Sequence, residues 1–349
     1  MFENYWGNPH VVRALAQMLS SGRLPQTLLF AGPEGVGKAT LARRVAAALM
    51  GHRELIERDD LSLGENAEVI AARERWPADK RNQDPLLFAS YPDFITFPPD
   101  GPLRQISIEQ TRLLKERAPY KPMSGRWRVF LIDHVDRAGE QAANSLLKTL
   151  EEPPDHLVLI LTAENSYDLL PTIRSRAVPF HFAALSDADM REFVRSRKLD
   201  EPERRIALAA GSPGLAAALD PAEYDRRRSA MLLMLRVAAG LAPFSEWIPV
   251  SEGIARSKSE KLEPYLKVLY GLLQDLLRAR EPGAQIRNQD IAREITRLAS
   301  AVSFDWFRGA TEKADLLAEL VRRNIQKTIA LDSFIVELRS GQFVIPRRI

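Results

Sequence analysis

The chain contains Thr27-Leu-Leu-Phe-Ala-Gly-Pro-Glu-Gly-Val-Gly-Lys38, an apolar run followed by a glycine-rich turn and a lysine. The residues that follow, 41–49, have the composition of a helix. A strand, a glycine loop and a helix in this order form the context of a phosphate-binding P-loop. Glycines let successive N–H groups face the phosphates, the helix N-terminus adds positive potential, and the lysine neutralises the outer phosphates. The alternative is an ordinary glycine-rich turn. We predict a site for ATP or ADP at Gly32, Gly35, Gly37, Lys38, Ala39 and Thr40.

The P-loop departs from its motif at the residue after the lysine. That residue is normally a serine or threonine whose hydroxyl binds Mg²⁺, and here it is Ala39. Thr40 comes one position later, and on a helix its side chain points about 100° away. The sequence therefore predicts a weak or vestigial nucleotide site.

A second acidic motif follows another apolar run, Arg128-Val-Phe-Leu-Ile-Asp133. An aspartate at the end of a strand is typical of a Walker B element, in which the carboxylate orients Mg²⁺ during phosphoryl transfer. Asp133 is thus expected to meet Mg²⁺ only through a bound nucleotide, although Asp is also an ordinary turn residue. The residue after it is His134, which we interpret as structural rather than as a catalytic base.

The distribution of apolar residues predicts an α/β fold followed by helices. Short apolar runs alternate with helical patterns up to residue 184, which indicates a parallel sheet flanked by helices. Residues 51–91 are highly charged with little periodicity, and we interpret them as a partly helical insertion. Ser186 and Asp189 resemble a capping box that opens a small helical domain, residues 185–225. Residues 226–349 are predicted to form a helix bundle. The predicted strands are 27–31, 94–97, 128–132, 157–161 and 178–182.

Composition excludes several classes of site. The 349 residues include no cysteine, so disulfides, thiolate zinc sites and cysteine nucleophiles are absent. The five histidines, at positions 10, 52, 134, 156 and 181, show no zinc-ligand spacing. Lys and Arg (49) nearly balance Asp and Glu (46), so the net charge of +3 is weak support for nucleic-acid binding. The sequence shows neither a signal-peptide pattern nor a membrane-length apolar run, which predicts a soluble cytoplasmic protein.

The segment Asn144-Ser-Leu-Leu-Lys-Thr-Leu-Glu-Glu-Pro-Pro154 closely resembles AAA+ subunits of clamp loaders. The resemblance continues through 157–163 and 170–177, and covers roughly residues 5–50 and 90–220. It implies that Thr162 is a sensor near the γ-phosphate. It also implies that Arg176, in Ser-Arg-Ala where the family has Ser-Arg-Cys, is an arginine finger that reaches a neighbouring subunit's ATP in trans. The alternative is an ordinary surface arginine.

The resemblance also exposes two further departures. Hydrolytic relatives carry a glutamate at the position of His134, and motor subunits carry a lid arginine at the position of Gly214. With Ala39, these changes remove parts of the hydrolytic site but keep Arg176. The combination resembles the non-motor delta-prime type, the stator, rather than the gamma/tau motor type. An active AAA+ ATPase of gamma/tau or DNA helicase type stays as the alternative.

Partners and cofactors follow from the same resemblance. It implies a hetero-pentamer with delta and gamma/tau subunits, held together by the C-terminal helices as a collar, that loads a sliding clamp on primed DNA. Family members usually carry a four-cysteine zinc module after the P-loop helix. Here residues 51–91 occupy that position, so we expect charged helices to pack there without zinc.

Overall fold

The computed structural model describes residues 2–256, 261–322 and 326–340. The chain forms two compact units, residues 1–217 and 218–349. The predicted C-terminal domain, 226–349, includes residues 341–349, which lie outside the described residues. The division of the first unit into a sheet domain and a separate helical lid stays a prediction.

The first unit contains one six-stranded sheet with the order β2-β3-β4-β5-β1-β6. Five strands run parallel, and β2 pairs antiparallel with β3 at one edge. This arrangement confirms the predicted α/β class and places the loops that follow β1, β4 and β5 at one edge of the sheet. The strands are β1 Thr27–Ala31, β2 Phe88–Tyr91, β3 Phe94–Phe97, β4 Arg128–Ile132, β5 Leu157–Ala163 and β6 Val178–His181.

Helices cover both faces of this sheet. Along β1, Leu28 and Phe30 join one hydrophobic cluster, whereas Leu29 joins the other, as the two-residue period of a strand requires. Since both faces are buried, the strands have apolar rather than alternating sequences. The helices of this unit are α1 Pro9–Ser20, α2 Lys38–Met50, α3 Arg53–Glu57, α4 Gly64–Arg73, α5 Ala78–Gln83, α6 Ile108–Arg117, α7 Glu140–Glu151, α8 Pro171–Arg174, α9 Asp187–Ser196, α10 Pro202–Ala209 and α11 Pro213–Ala218.

The insertion, residues 51–91, differs from the sequence prediction in one respect. It is partly helical as expected, through α3, α4 and α5, but it ends in the strand β2. The sheet is therefore not wholly parallel. The strand was missed because its four residues include Ala89 and Ser90, which give no apolar run, and because its pairing with β3 depends on contacts beyond its own sequence.

Buried ion pairs attach the insertion to the rest of the unit. Arg43, which is 2% exposed, donates to Glu57 at 3.1 Å and to Asp60. Arg73 donates to both oxygens of Asp100, at 3.0 and 2.8 Å, with each side chain at most 6% exposed. Bidentate pairing of this kind is the geometry that a guanidinium favours. The charged composition of the segment thus has a structural role in its packing.

The segment after the sheet begins as the sequence predicts. Ser186 is the N-cap of α9, and its side chain accepts a hydrogen bond from the Asp189 N–H at 3.2 Å. A side-chain cap satisfies one of the free N–H groups of the first helical turn.

The second unit is a helical bundle, as expected for the region after residue 226. Its core includes Trp247, fully buried, whose indole N–H donates to Asp332 at 2.7 Å. The Leu277 side chain of α14 is 40% exposed, whereas Leu276 beside it is buried. The helices are α12 Pro221–Ala238, α13 Phe244–Arg256, α14 Glu263–Arg278, α15 Ala292–Ala301, α16 Phe304–Arg322 and α17 Lys327–Ser340.

Helix α13 contains Pro249, a residue that normally ends a helix. None of the described helices has both the length and the apolar composition that crossing a lipid bilayer requires.

Candidate nucleotide site

The predicted phosphate loop connects β1 to α2. Gly35 and Gly37 adopt φ values of +73° and +97°, which non-glycine residues rarely adopt. Helix α2 starts at Lys38, so its free N–H groups face the loop. Ala39 and Thr40 lie in the first turn and are half-buried. The loop therefore has the backbone form that can surround an anion.

The Lys38 ammonium group is directed at its own loop. It donates to the carbonyl of Gly32 at 2.6 Å and to that of Pro33 at 2.8 Å, and the residue is only 6% exposed. Burial lowers the pKa of Lys38 below its ordinary value, and nearby carboxylates oppose that shift. In decreasing order of effect, these are Asp133, Glu164, Asp136 and Glu34.

The segment at the start of α11 lies directly on the loop. The Ser212 hydroxyl donates to the Glu34 carbonyl at 2.9 Å, and the Gly214 N–H donates to the Gly35 carbonyl at 2.9 Å. A Cβ atom on Gly214 would come within 2.9 Å of the Gly35 Cα. The position where motor relatives are expected to carry an arginine is thus in backbone contact with the loop.

The other side of the loop contacts the N-terminal segment. A Cβ atom on Gly37 would lie 3.0 Å from the Tyr5 ring. The Tyr5 hydroxyl is buried without a hydrogen-bond partner among the described residues, and burial raises the pKa of this phenol. Tyr5 therefore limits the space beside the start of α2.

Asp133 and Thr162 meet at the same edge of the sheet. The Thr162 hydroxyl donates to Asp133 Oδ1 at 2.5 Å and accepts from the His134 N–H at 2.8 Å. Thr162 is fully buried, and Asp133 is 8% exposed. This contact joins β4 to β5, the two strands whose ends carry the predicted acidic motif and the predicted sensor.

A cleft of about 310 Å³ opens beside these groups. It is lined by the loop residue Glu34, by Asp133 and His134, and by the cations Arg104 and Arg137. The cleft is large enough for several water molecules or a small anionic group, and its lining carries both signs of charge.

Arg176 lies apart from the loop. It follows α8, its side chain is 32% exposed, and it donates to Glu151 at 2.5 Å and to the Thr172 carbonyl at 2.9 Å. Within this chain it contacts neither the P-loop nor Asp133. A role for Arg176 on its own chain's nucleotide therefore has no geometric support.

The structure brings together three groups that the sequence prediction did not. His134, Asp136 and Glu164 each place one potential ligand atom within 4.8 Å of the others. The sequence carried a usable signal, since the first two follow β4 and the third directly follows β5. The carboxyl ends of neighbouring parallel strands meet at one edge. The spacing of the histidines alone does not reveal this cluster, because its other two members are carboxylates.

Sequence comparison finds known proteins that match part of this chain. Residues 78–186 match the family described as DNA polymerase III, delta subunit. The chain is 35% identical over 191 residues to DNA polymerase III subunit tau of Escherichia coli strain K12, covering 54% of this chain and 26% of that protein. It is 31% identical over 193 residues to DNA polymerase III subunit tau/gamma of Haemophilus influenzae, covering 55% and 25%. The matched region is similar to subunits of DNA polymerase III.

The similarity to these curated relatives has a limited extent, because this chain spans about a quarter of their length. Among solved structures, the chain is similar to a gamma subunit-related protein of Thermotoga maritima, with 17% identity, a TM-score of 0.39, and coverage of 93% of this chain and 98% of that one. It is also similar to the DNA clamp loader delta protein of Bacillus subtilis, with 10% identity, a TM-score of 0.29, and coverage of 94% and 99%.

Proposed function

We propose that this chain is the delta-prime type of clamp-loader subunit in the bacterial cytoplasm. In this role it assembles with delta and gamma/tau subunits into a hetero-pentamer that loads a sliding clamp on primed DNA. It hydrolyses little or no ATP itself and supplies Arg176 to the nucleotide of a neighbouring ATPase subunit. The residues from 226 onward serve as the collar of the assembly.

The observation that carries the proposal is the composition of the loop and the strand ends. Ala39 provides a methyl group where a Mg²⁺ ligand is required, and His134 stands where hydrolytic relatives have a glutamate. The residue after Asp133 is therefore an imidazole rather than the glutamate that activates water in those relatives. The loop can still hold an ADP or ATP phosphate weakly, with Mg²⁺ held by Asp133 through the nucleotide.

The contacts of Lys38 also support a weak nucleotide site. A bound phosphate would need the Lys38 ammonium group to leave the Gly32 and Pro33 carbonyls, to which it donates at 2.6 and 2.8 Å. Each hydrogen bond from a charged donor contributes roughly 1.5–3 kcal/mol. Nucleotide binding must offset that loss, which argues for low affinity.

The exposed position of Arg176 supports a role in trans. Its contact with Glu151 joins two partly exposed side chains, 32% and 47%, so the pair contributes at most about 1 kcal/mol. The guanidinium group can therefore exchange this partner for a phosphate of another subunit at small cost. A planar, permanently charged group suits that purpose.

The alternative is an active ATPase of the gamma/tau type, and the names of the similar curated proteins favour it. The two proposals differ in the turnover of the isolated chain. Steady-state ATP hydrolysis by the purified wild type and by Lys38→Ala separates them. The delta-prime proposal expects both to stay at background, whereas turnover that requires Lys38 supports the active ATPase and overturns the delta-prime assignment.

A further inference from the structure

From the geometry of His134, Asp136 and Glu164, we propose that this chain binds one divalent transition-metal ion beside the phosphate loop. The ligands are His134 Nδ1, Asp136 Oδ1 and Glu164 Oε1, and the ion is of the Zn²⁺ or Mn²⁺ class. This site differs from the Mg²⁺ that a nucleotide carries to Asp133, and it does not depend on the proposed function.

The distances are close to those of a metal site. His134 Nδ1 lies 3.7 Å from Glu164 Oε1 and 4.0 Å from Asp136 Oδ1. With bonds of about 2.0–2.2 Å to nitrogen and oxygen, two ligands of one ion lie roughly 3.0–3.5 Å apart. All three atoms lie within 4.8 Å of one another, so side-chain rotations must bring them closer to reach that separation. The two distances from His134 are too long for hydrogen bonds.

The second observation is that two of the three atoms lack hydrogen-bond partners. His134 Nδ1 and Asp136 Oδ1 are both buried without a partner among the described residues, and the Asp136 side chain is only 11% exposed. A buried polar atom left unpaired costs about 1–3 kcal/mol. An ion or water that the two atoms share removes this cost.

Other contacts already hold the carboxylates in place. The second oxygen of Asp136 accepts from the Glu164 N–H at 3.3 Å, which leaves Oδ1 directed away from that contact. Outer hydrogen bonds of this kind are a common feature of metal ligands. Arg137 approaches Glu164 Oε1 at 3.4 Å, with both side chains about 40% exposed. A surface pair of this kind is weak, so it does not prevent the carboxylate from binding an ion.

The donor set selects the class of ion. One imidazole with two carboxylates suits Zn²⁺, Mn²⁺ or Fe²⁺, whereas Mg²⁺ prefers oxygen ligands and retains most of its water. Three protein ligands leave at least one coordination position for water or an anion. Because His134 also lines the cleft with Glu34, an anion in that cleft is the expected additional ligand.

The test is equilibrium binding of ZnCl₂ and of MnCl₂ to the tag-free chain in the absence of nucleotide. The variants are His134→Asn and Glu164→Gln. Asparagine tolerates the left-handed backbone that His134 adopts at φ +54°. His156→Ala serves as the control. Among the described residues, the imidazole of His156 forms a hydrogen bond only with the Tyr120 carbonyl, outside the cluster. Circular dichroism checks that every variant is folded.

We expect one saturable Zn²⁺ or Mn²⁺ per wild-type chain, bound in preference to Mg²⁺. Each site variant should weaken binding by about tenfold or more, since even outer-contact changes cost 10–100-fold, while His156→Ala should bind like the wild type. X-ray absorption spectra at the zinc edge should indicate a single imidazole ligand. Absence of saturable binding, or equal binding by folded His134→Asn, overturns the proposal, and neither result bears on ATP hydrolysis.

Discussion

Thr162 donates a hydrogen bond of 2.5 Å to Asp133 and accepts one of 2.8 Å from the His134 N–H. One buried hydroxyl is therefore the hydrogen-bond partner of two consecutive residues that directly follow β4. Thr162 is fully buried, so a side chain without a hydroxyl at this position offers neither group a replacement partner. Thr162 therefore has a structural role, because its hydroxyl links β5 to the end of β4.

Thr162→Val removes this hydroxyl while keeping the size of the side chain. It leaves a buried carboxylate oxygen and a buried N–H unpaired, and we expect a loss of about 1–3 kcal/mol in the free energy of unfolding. Denaturant titration measures it. Thr162→Ser keeps the hydroxyl and should lose less. A loss in Thr162→Ser as large as that in Thr162→Val would contradict this prediction, because serine keeps the hydroxyl.

Arg176→Ala tests the arginine finger in the assembled complex. The charge is expected to act on a neighbour's nucleotide, so ATP hydrolysis by the complex should fall by about 10³-fold or more, while the mass of the complex stays unchanged. Arg174→Ala is the matched control, because Arg174 lies two residues earlier and packs over the Tyr167 ring. A similar fall in both variants contradicts a specific role for Arg176.

Glu151→Gln examines the resting position of the same arginine. The carboxylate accepts from Arg176 at 2.5 Å within the chain, and an amide removes its charge. If Arg176 leaves Glu151 in order to act in trans, the complex should keep its full ATPase rate. A fall as large as that of Arg176→Ala would mean that Glu151 is required to position the guanidinium group.

Ser212→Ala tests the contact between the start of α11 and the phosphate loop. It removes the 2.9 Å hydrogen bond to the Glu34 carbonyl, and a neutral hydrogen bond contributes about 0.5–1.5 kcal/mol. Amide hydrogen exchange at Gly214 should become faster by a corresponding factor, about 2–13-fold. Ser186→Ala, in the N-cap of α9, should leave the Gly214 amide unaffected. An unchanged Gly214 exchange rate in Ser212→Ala would mean that the hydroxyl does not hold the segment.

Asp59→Asn tests a buried carboxyl group in the insertion. Asp59 is fully buried, accepts from the Ser90 N–H at 2.9 Å, and has one oxygen without a partner. Burial raises the pKa of Asp59 above its ordinary value of 3.8. The unfolded chain therefore loses this proton first as the pH rises. The contribution of Asp59 to wild-type stability should fall from about pH 4 upward, until the pH passes the raised pKa of Asp59 in the folded chain.

The measurement is the difference in unfolding free energy between Asp59→Asn and the wild type from pH 4 to pH 8. This difference should grow with pH in favour of the variant and then level off. Asp79→Asn, at an exposed position in α5, is the control and should show no such trend. A difference that does not change with pH contradicts the raised pKa.

The sequence predicted the parts of this fold that depend on local pattern. Five strands appear within two residues of their predicted ends, since each is an apolar run bounded by polar residues. It failed at β2, where Ala89 and Ser90 give no apolar run and pairing with β3 stabilises the strand. There tertiary packing overrides local preference.

The candidate site shows the same division. Motif spacing predicted a glycine loop with Lys38 between a strand and a helix, and the structure has that loop between β1 and α2. The contact between Thr162 and Asp133 was not predicted. The inward position of Lys38 and the pairing of Arg176 with Glu151 depend on side-chain placement, which spacing does not determine. The cluster around His134 joins residues from two strand ends, so it required the strand order as well as the sequence.

The backbone contact between Gly214 and Gly35 constrains how this chain can change by mutation. A Cβ atom at position 214 would lie 2.9 Å from the Gly35 Cα, so any side chain there forces the two segments apart. An arginine at this one codon would therefore disrupt the fold locally before it could reach a phosphate. A descendant of this protein could carry an arginine there only after other substitutions had separated the loop from the start of α11.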